Sequence, residues 1–600
     1  MQRGPPLKKF SFRFSRKITA AVFLLLLGIF SLFCLKTRPF SSWDTRFEAF
    51  TRQLFCQELS SNTLNLHYTL AYPEKYNIEN YSISLGSMKP QNLQENFDSI
   101  KALKKQLERF PASKLSTENQ MVYDILRLQF ATELSSENCY LLQEPLSPNL
   151  GIQAQLPALL AEYTFRTPAD VKDYLSLLTS LPDYFKEIQQ FEQEKSRQGL
   201  FMSDDSAERT VQQCKEFCED LNSHYLSETF KDRVQKLTEL KVISKKQRDS
   251  YIKTHEKILK NCVFPAYKSL AQSLEKLKGS GKNQGGLCHL PEGKKYYAYL
   301  IKSSTGDYRS VREIQKHLYQ QLFLDFEEIQ NLVQKAPDIF TKAAQLPQTA
   351  SSSPEQMLDY LSRVMTDDFP KLTVKDYEVK YVPDSMEEFS SPAFYLTPPV
   401  DTLTPNTIYI NQSTTVSDVQ RFTTLAHEGF PGHLYQTTYF LSTDPSPFRH
   451  LLSFGAYTEG WATYVEMESY QMDESLDQDL ARLLALNSSI TLGLHAYIDI
   501  MVNDQGWDIS QIHNFITSYY DDPDQEFSAA LYEAMVDNPS NYLEYYVGYL
   551  EFSDMREKAE EALGEAFDLV EFHRFLLDTG PAPFSVLRKG LERWIQEQNA

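Results

Sequence analysis

Between Thr424 and Gln436 the chain reads TLAHEGFPGHLYQ, which places His427, Glu428 and His433 within seven residues. Two imidazoles with a carboxylate beside the first are the side chains zinc hydrolysis uses: the nitrogens hold the ion and the Glu takes a proton from water. The usual helical spacing for this chemistry is H-E-x-x-H, which puts both rings on one face. Here six residues separate the histidines. On a straight α-helix that is about 600°, so the second ring would point about 240° away from the first. Either the histidines share no metal or the helix is not straight. Pro431 stands where the usual motif has its second histidine. It removes the hydrogen bond to the carbonyl of His427 and crowds that turn, at about 3 kcal/mol in a regular helix. Gly429 and Gly432 free the backbone from helical angles. GFPG therefore predicts a bulge or kink that absorbs the two extra residues and lets the rings converge, as bulges at functional sites often do. The competing reading is a strand-to-helix turn, with Pro431 near the first helical position and two unrelated histidines.

A catalytic zinc needs a third protein ligand and an open position. YTEGWATYVEME offers Glu459 near the head of a helix-like run, with Glu466 two turns further along the same face. Glu459 is the expected ligand and Glu466 a support behind it, while Glu468 reads as surface. Two imidazoles and a carboxylate suit Zn²⁺ best among divalent ions.

The elements that must hold these groups are mostly helices. From Phe47 to about Gln345 apolar residues recur at intervals of three and four. In ENFDSIKALKKQLERF they are Phe97, Ile100, Leu103, Leu107 and Phe110, one apolar stripe opposite a charged face. No repeat of 30 to 45 residues stands out. KGSGKNQGGLCHLPEGKKYYAYLIKSSTG, dense in Gly and Lys, reads as a surface excursion, and QTASSSPEQ as a turn before another helix. Neither is long enough to separate domains. Between Val374 and Asn411 the segments YEVKYVPDSM, SPAFYLTPPV and NTIYIN mix β-branched and aromatic residues with prolines, which predicts two or three strands in a small sheet beside the site helix. The free edge of such a strand can pair with an extended peptide. The fold class is therefore mainly α, one large multi-helix unit over residues 36–600 with its metal-site core at about 374–550.

With 600 residues, 42% hydrophobic and 13% aromatic, the chain can bury a large core. The net charge is −20, and six basic groups with no acid fall in the first seventeen residues, so the body is near −26. Nucleic acid is a poor partner for so acidic a surface. After that basic tail, residues 1–17, comes ITAAVFLLLLGIFSLFCL, Ile18 to Leu35, uncharged and just long enough to span a bilayer. The basic excess before it predicts a single-pass anchor with the N-terminus in the cytoplasm and the body outside. The alternative is secretion after signal cleavage, although no small-x-small site follows the apolar run. The residues before Cys34 are not those of a bacterial lipoprotein signal, which argues against a lipid anchor. Cys56, Cys139, Cys214, Cys218, Cys262 and Cys288 remain, an even number that makes disulfides plausible outside the cell. CKEFC either bridges locally or puts two small apolar groups on one helix face.

HEGFPGHLYQ followed by EGWATYVE resembles a bacterial family known as domain of unknown function 885, whose strings look like H-E-G-Y-P-G-H-H-x-Q and E-G-W-A-x-Y-x-E. The resemblance covers roughly Phe47 to Trp594, including LPEGKKYYAYLIKSSTG, SPAFYLTPPVDTLTPNTIYIN and FDLVEFHRFLLDTGPAPFSVLRKGLERW. It implies a mainly helical metallopeptidase fold of the gluzincin type, similar to the helical oligopeptidases and carboxypeptidases. By the same resemblance His427, His433 and Glu459 hold zinc and Glu428 is the base. The family's Q-x-x-x-Y-x-x-G segment falls on NYLEYYVG, with Asn541 in place of Gln and with Gly548 kept. Tyr545 is then the candidate donor to a developing oxyanion, with Tyr542 and Tyr546 close enough to be the true one. ALNSSITLGLH departs from the family, with Asn487 and Thr491 where charged groups are common. His495 is kept and is a candidate for holding substrate or intermediate. His67, His224, His255, His289, His317, His450, His513 and His573 read as structural or surface.

The combined expectation is a membrane-anchored, outward-facing zinc metallopeptidase acting on short peptides. Two other classes stay open: a zinc hydrolase of a non-peptide amide or ester, for instance in cell-wall material, and a non-catalytic surface-binding protein that kept the fold.

Overall fold

The computed structural model describes residues 42–600, apart from 80, 149, 220–223, 347–351, 373–376, 383–386, 388–390, 414–415 and 521–523. The expected basic tail and membrane anchor, 1–17 and 18–35, lie outside the described residues. What is described is mainly α, with one three-stranded sheet.

Apolar spacing of three and four becomes helix throughout the first half. The longest is α1 (Pro168–Gln198), started by a Thr167/Asp170 capping box and stopped at Gly199, which is left-handed at φ 74°. It packs on α2 (Phe264–Leu277), where the rings of Phe185 and Tyr267 meet edge to face at 4.9 Å. The Gly- and Lys-rich stretch from Lys278 is only partly the surface excursion its composition suggests. Its second half is α3 (Gly293–Thr305), with Tyr296, Tyr297 and Ile301 buried. Two of its glycines serve close approach: a Cβ on Gly286 would lie 2.2 Å from the carbonyl oxygen of Val502, and one on Gly293 1.7 Å from that of Leu287. A second capping box, Ser310 with Glu313, opens α4 (Val311–Lys335). The stretch QTASSSPEQ, 348–356, expected as a turn before a helix, runs into the helix Pro354–Val364, which Ser353 caps.

The sheet comprises β1 (Tyr377–Tyr381), β2 (Ala393–Leu396) and β3 (Asn406–Ile410), in the order β1-β3-β2. β3 is central and buried along its length, parallel to β1 and antiparallel to β2, with Tyr395 opposite Ile408. That leaves β2 on an edge.

The site helices follow directly. They are α5 (Asp418–Glu428), α6 (His433–Ser442), α7 (Gly455–Met472), α8 (Gln478–Asn503) and α9 (Asn541–Leu563). One core gathers Phe47 and Phe55 near the start of the described chain, Tyr435, Trp461 and Phe552 from the site helices, and Phe572 and Phe584 near the end. Both ends of the described chain thus share a core with the site helices. Among the described helices α8 is long and apolar enough to cross a membrane, but 61% of its most apolar stretch is buried within the fold, against α4, α7 and α9. It is a core helix. The six described cysteines are all free, so the expected disulfides are not formed. Cys214 and Cys218 are both buried, the second of the two readings of CKEFC.

Candidate metal centre

Ser417 caps α5 by accepting from the backbone N–H of Gln420, and Phe422, Leu425 and Ala426 face the core. That register carries His427 and Glu428 on the last turn. The helix then ends at Gly429, whose angles (φ −110°, ψ −96°) are not helical, and α6 begins at His433. So GFPG neither bulges nor kinks one helix. It separates two, with a cis Phe430–Pro431 peptide between them. The Gly432 N–H returns to the carbonyl of Ala426 at 2.9 Å, and the Tyr435 N–H to that of Gly429 at 3.2 Å. Trp461 on α7, fully buried, fixes the turn from the other side by donating Nε1–H to the Pro431 carbonyl at 2.9 Å. A helix, not a strand, leads into the segment, so the competing reading, a strand-to-helix turn, is met only in that this is a turn before a helix. It was wrong about the histidines, whose rings lie 4.8 Å apart, edge to face.

Glu459 is one turn into α7. Its Oε2 lies 3.6 Å from His427 Nε2 and 3.4 Å from His433 Nε2, and the three donor atoms fall within 4.8 Å of one another. A tetrahedron whose centre is about 2.1 Å from each corner has edges of about 3.4 Å, so two edges already have the length zinc ligands require. Two nitrogens and one oxygen are a donor set zinc accepts. The residues fit the ion. Glu466 accepts from His427 Nδ1 at 2.9 Å, which turns Nε2 toward Glu459. Burial opposes charge on His427, but Glu459 and Glu466 outweigh it and hold its pKa well above the ordinary imidazole value. Burial likewise opposes ionisation of Glu459, and the two imidazoles overcome it and bring its pKa far down. Glu466→Ala removes the acceptor behind His427. It is expected to weaken zinc about 10- to 100-fold in competition with a chromogenic chelator; an unchanged affinity would mean the ring needs no such support.

Glu428 points toward the sheet. Its Oε2 accepts the Tyr395 N–H of edge strand β2 at 2.9 Å. Burial raises its pKa, opposed by His427, His433 and that N–H. Of the three candidate tyrosines on α9, Tyr542, Tyr545 and Tyr546, Tyr545 is the one near Glu459 and Glu428. Its phenol is held protonated by burial and by Glu459, Glu544 and Glu428. Tyr546 is fully buried on another network, its hydroxyl 3.3 Å from Ser489 Oγ, and Tyr542 packs against His495. His495 itself has Nδ1 on the Thr491 carbonyl at 2.7 Å and its ring 4.8 Å from that of Tyr542. No contact with the triad or Glu428 is found for it among the described residues. Glu468 pairs with Arg556 at 3.1 Å and is 41% exposed, as a surface acid would be. The buried histidines outside the site are packing groups, with His67 stacked on Tyr163 and His573 on Phe369.

The sequence profile described as "Bacterial protein of unknown function (DUF885)" matches residues 77–591. The chain belongs to the DUF885 family. No curated protein matches it. Among solved structures it is similar to a candidate lipoprotein from Colwellia psychrerythraea, 18% identical, with a TM-score of 0.81 over 93% of this chain and 100% of that one. It is also similar to a candidate lipoprotein of unknown function from Shewanella oneidensis, 16% identical, with a TM-score of 0.61 over 92% and 99%. At those identities the likeness shows a shared fold.

In this DUF885 chain the recurring strings acquire physical roles. Within E-G-W-A, Glu459 meets the histidines, Trp461 holds the GFPG turn, and Gly460 lets α9 approach. A Cβ on Gly460 would lie 2.3 Å from Gly548 Cα, and one on Gly548 2.1 Å from the Ala456 carbonyl oxygen. That crossing brings Tyr545 and its neighbour Glu544 toward Glu459. Glu544 did not stand out in the sequence. Its carboxylate fills the space where Gly455 has no side chain, a Cβ there lying 2.0 Å from Oε2. Burial and Glu459 push its pKa up to about 8. The only sequence signal was its place beside Tyr545 in NYLEYYVG.

Proposed function

We propose that the protein is a zinc-dependent peptidase, attached to a membrane or extracellular, acting on short peptides. The observation that carries this reading is the approach of both histidine Nε2 atoms to one Glu459 oxygen, at 3.6 and 3.4 Å, with Glu428 next to the first histidine. His427, His433 and Glu459 would hold the ion. Zinc, when bound, supplies Lewis acidity: it makes water nucleophilic near neutral pH and polarises a carbonyl. Glu428 takes the proton of the attacking water and returns it to the leaving amine, its carboxylate steadied by the Tyr395 N–H. Tyr545 donates a hydrogen bond from its phenol to the oxygen that becomes negative as the carbonyl carbon turns tetrahedral, and keeps its proton.

Edge strand β2 favours a peptide over other amides. Its outer edge lies beside Glu428, which takes the Tyr395 N–H, so an extended chain pairing along that edge would meet the Glu428 carboxylate. The triad side chains are only 12 to 25% exposed, which favours short substrates over folded proteins. The basic N-terminal tail and the apolar run Ile18 to Leu35 support attachment to a membrane with the body outside. That two structural neighbours are candidate lipoproteins agrees with a location at or beyond the membrane.

Elemental analysis of full-length protein purified without chelator tests the reading. About one zinc per chain is expected, with Glu459→Ala losing most of it while keeping its helical circular dichroism. A folded wild type that takes up no zinc even when the ion is added would end the peptidase reading.

A further inference from the structure

A cavity of about 580 Å³ has Glu544 in its wall, and through Glu544, whose carboxyl feels the charge of Glu459, it borders the triad. That volume is typical of small-ligand sites, about 300–1,000 Å³. Among the described residues no lysine or arginine lines it, while four carboxylates do: Glu133, Glu144, Asp537 and Glu544. Three of them are engaged. Glu144 pairs with Lys195 at 2.5 Å, Asp537 with Arg209 at 2.7 Å, and Glu133 accepts from the Tyr299 hydroxyl at 3.2 Å. For Glu544 no hydrogen bond or ion pair is found among the described residues. A carboxyl left without a partner in a partly buried place favours its neutral form until a cation arrives beside it and stabilises the ionised one.

Its position ties it to the reacting bond. Glu544 rests against Gly455, which precedes Glu459 by one turn of α7. Four residues of helix advance about 6 Å, and an extended peptide residue spans about 3.3–3.6 Å. A cation held by Glu544 is therefore within one or two residues of a carbonyl placed at the triad. Phe97 and Phe201 add apolar wall for the side chains between.

We infer, resting on the peptidase reading above, that this cavity receives a cationic group of the peptide substrate and that Glu544 is its counter-charge. The cation is either the terminal ammonium or a Lys or Arg side chain near the scissile bond; the chemistry at Glu544 is the same. The site thereby selects substrates by charge within two residues of the cleaved bond. Glu544 has a specificity role distinct from the proton transfer of Glu428.

Three versions of one apolar hexapeptide test this: free at its amino end, N-acetylated, and N-acetylated with a single Lys. Wild type is expected to cleave a cationic version with kcat/KM about 10-fold or more above the uncharged one, the range of a charge-assisted hydrogen bond. In Glu544→Gln the preference of charged over uncharged peptide is expected to vanish through KM. Whether the free-amine or the Lys peptide shows the effect identifies the cation. Calorimetric titration of the same peptides into Glu428→Gln, and into Glu428→Gln with Glu544→Gln, reads the contact without hydrolysis. Equal affinity of charged and uncharged peptides for Glu428→Gln, or no binding of either, overturns the inference. Loss of zinc from folded Glu544→Gln also overturns it, since Glu544 would then serve the metal. Absence of zinc and of all cleavage in wild type sinks the peptidase reading instead, and the titration still decides whether the cavity binds a cation.

Discussion

Glu428→Gln is expected to retain about one zinc per chain and to lose peptide hydrolysis by a factor of about 10² to 10⁴, the usual contribution of a positioned general base. Gln keeps the shape of the side chain and its acceptor oxygen, so the hydrogen bond from the Tyr395 N–H at 2.9 Å can persist. The histidines and Glu459 are untouched. What Gln cannot do is accept a proton from water and hand it on. The measurement is paired: zinc by elemental analysis and initial rates on a short-peptide mixture, for wild type and variant. The loss should lie in kcat with little change in KM, because Glu428 is asked to act only as the bond breaks. A variant that stays loaded and stays active would remove Glu428 from the chemistry. A variant that loses both zinc and activity would mean that its charge serves the metal.

The groups at the centre were legible because their spacing is local. His427, Glu428 and His433 lie on one short run, and Glu459 and Glu466 are seven residues apart on one helix face, so periodicity alone predicts their common side. The mainly helical class and the small sheet before α5 were legible for the same reason. The form of the GFPG turn was not, because it is decided across the chain. Pro431 and the glycines say that a regular helix fails there; the Trp461 indole on α7 and the Ala426 carbonyl say where the chain goes next. Composition misled at α3, where Gly and Lys suggested a loop. The i, i+1, i+5 pattern of Tyr296, Tyr297 and Ile301 puts those residues in the core, and the glycines fit the backbone of neighbours. An even number of cysteines says nothing about which lie close, and none is paired.

Glu544 shows a different limit. A glutamate near the start of an amphipathic helix ordinarily reads as solvated surface or as a charge placed for the helix dipole. Its meaning depends on Gly455, Gly460 and Gly548, three glycines on two helices whose contact no local pattern displays. Once α7 and α9 cross at that distance, Glu544 and Tyr545 are carried toward Glu459 together, and the Y-x-x-G spacing becomes a positioning device.

The turn that joins the histidines predicts the second large effect. In Gly432→Ala the added Cβ would lie 1.8 Å from the His427 carbonyl oxygen and 2.4 Å from that of Ala426. Both are backbone atoms at the end of α5, so neither can swing aside as a side-chain tip would. Relief requires α6 to move away from α5, which carries His433 from Glu459 and breaks the Gly432 N–H to Ala426 bond. Overpacking of this kind costs about 1–3 kcal/mol and occasionally more, and a shift of a few tenths of an ångström or more at a metal ligand lowers affinity at once. The expected result is a lower unfolding temperature together with loss of most of the zinc. Gly590→Ala is the control: its nearest contact is the Phe575 ring at 3.3 Å, an aromatic edge able to yield slightly, and alanine gains about 0.5–1 kcal/mol over glycine within a helix. That variant is expected to keep its zinc and its stability. If Gly432→Ala also kept both, the two histidines would not be held by the return of the chain onto α5, and the geometry of the centre would need another cause.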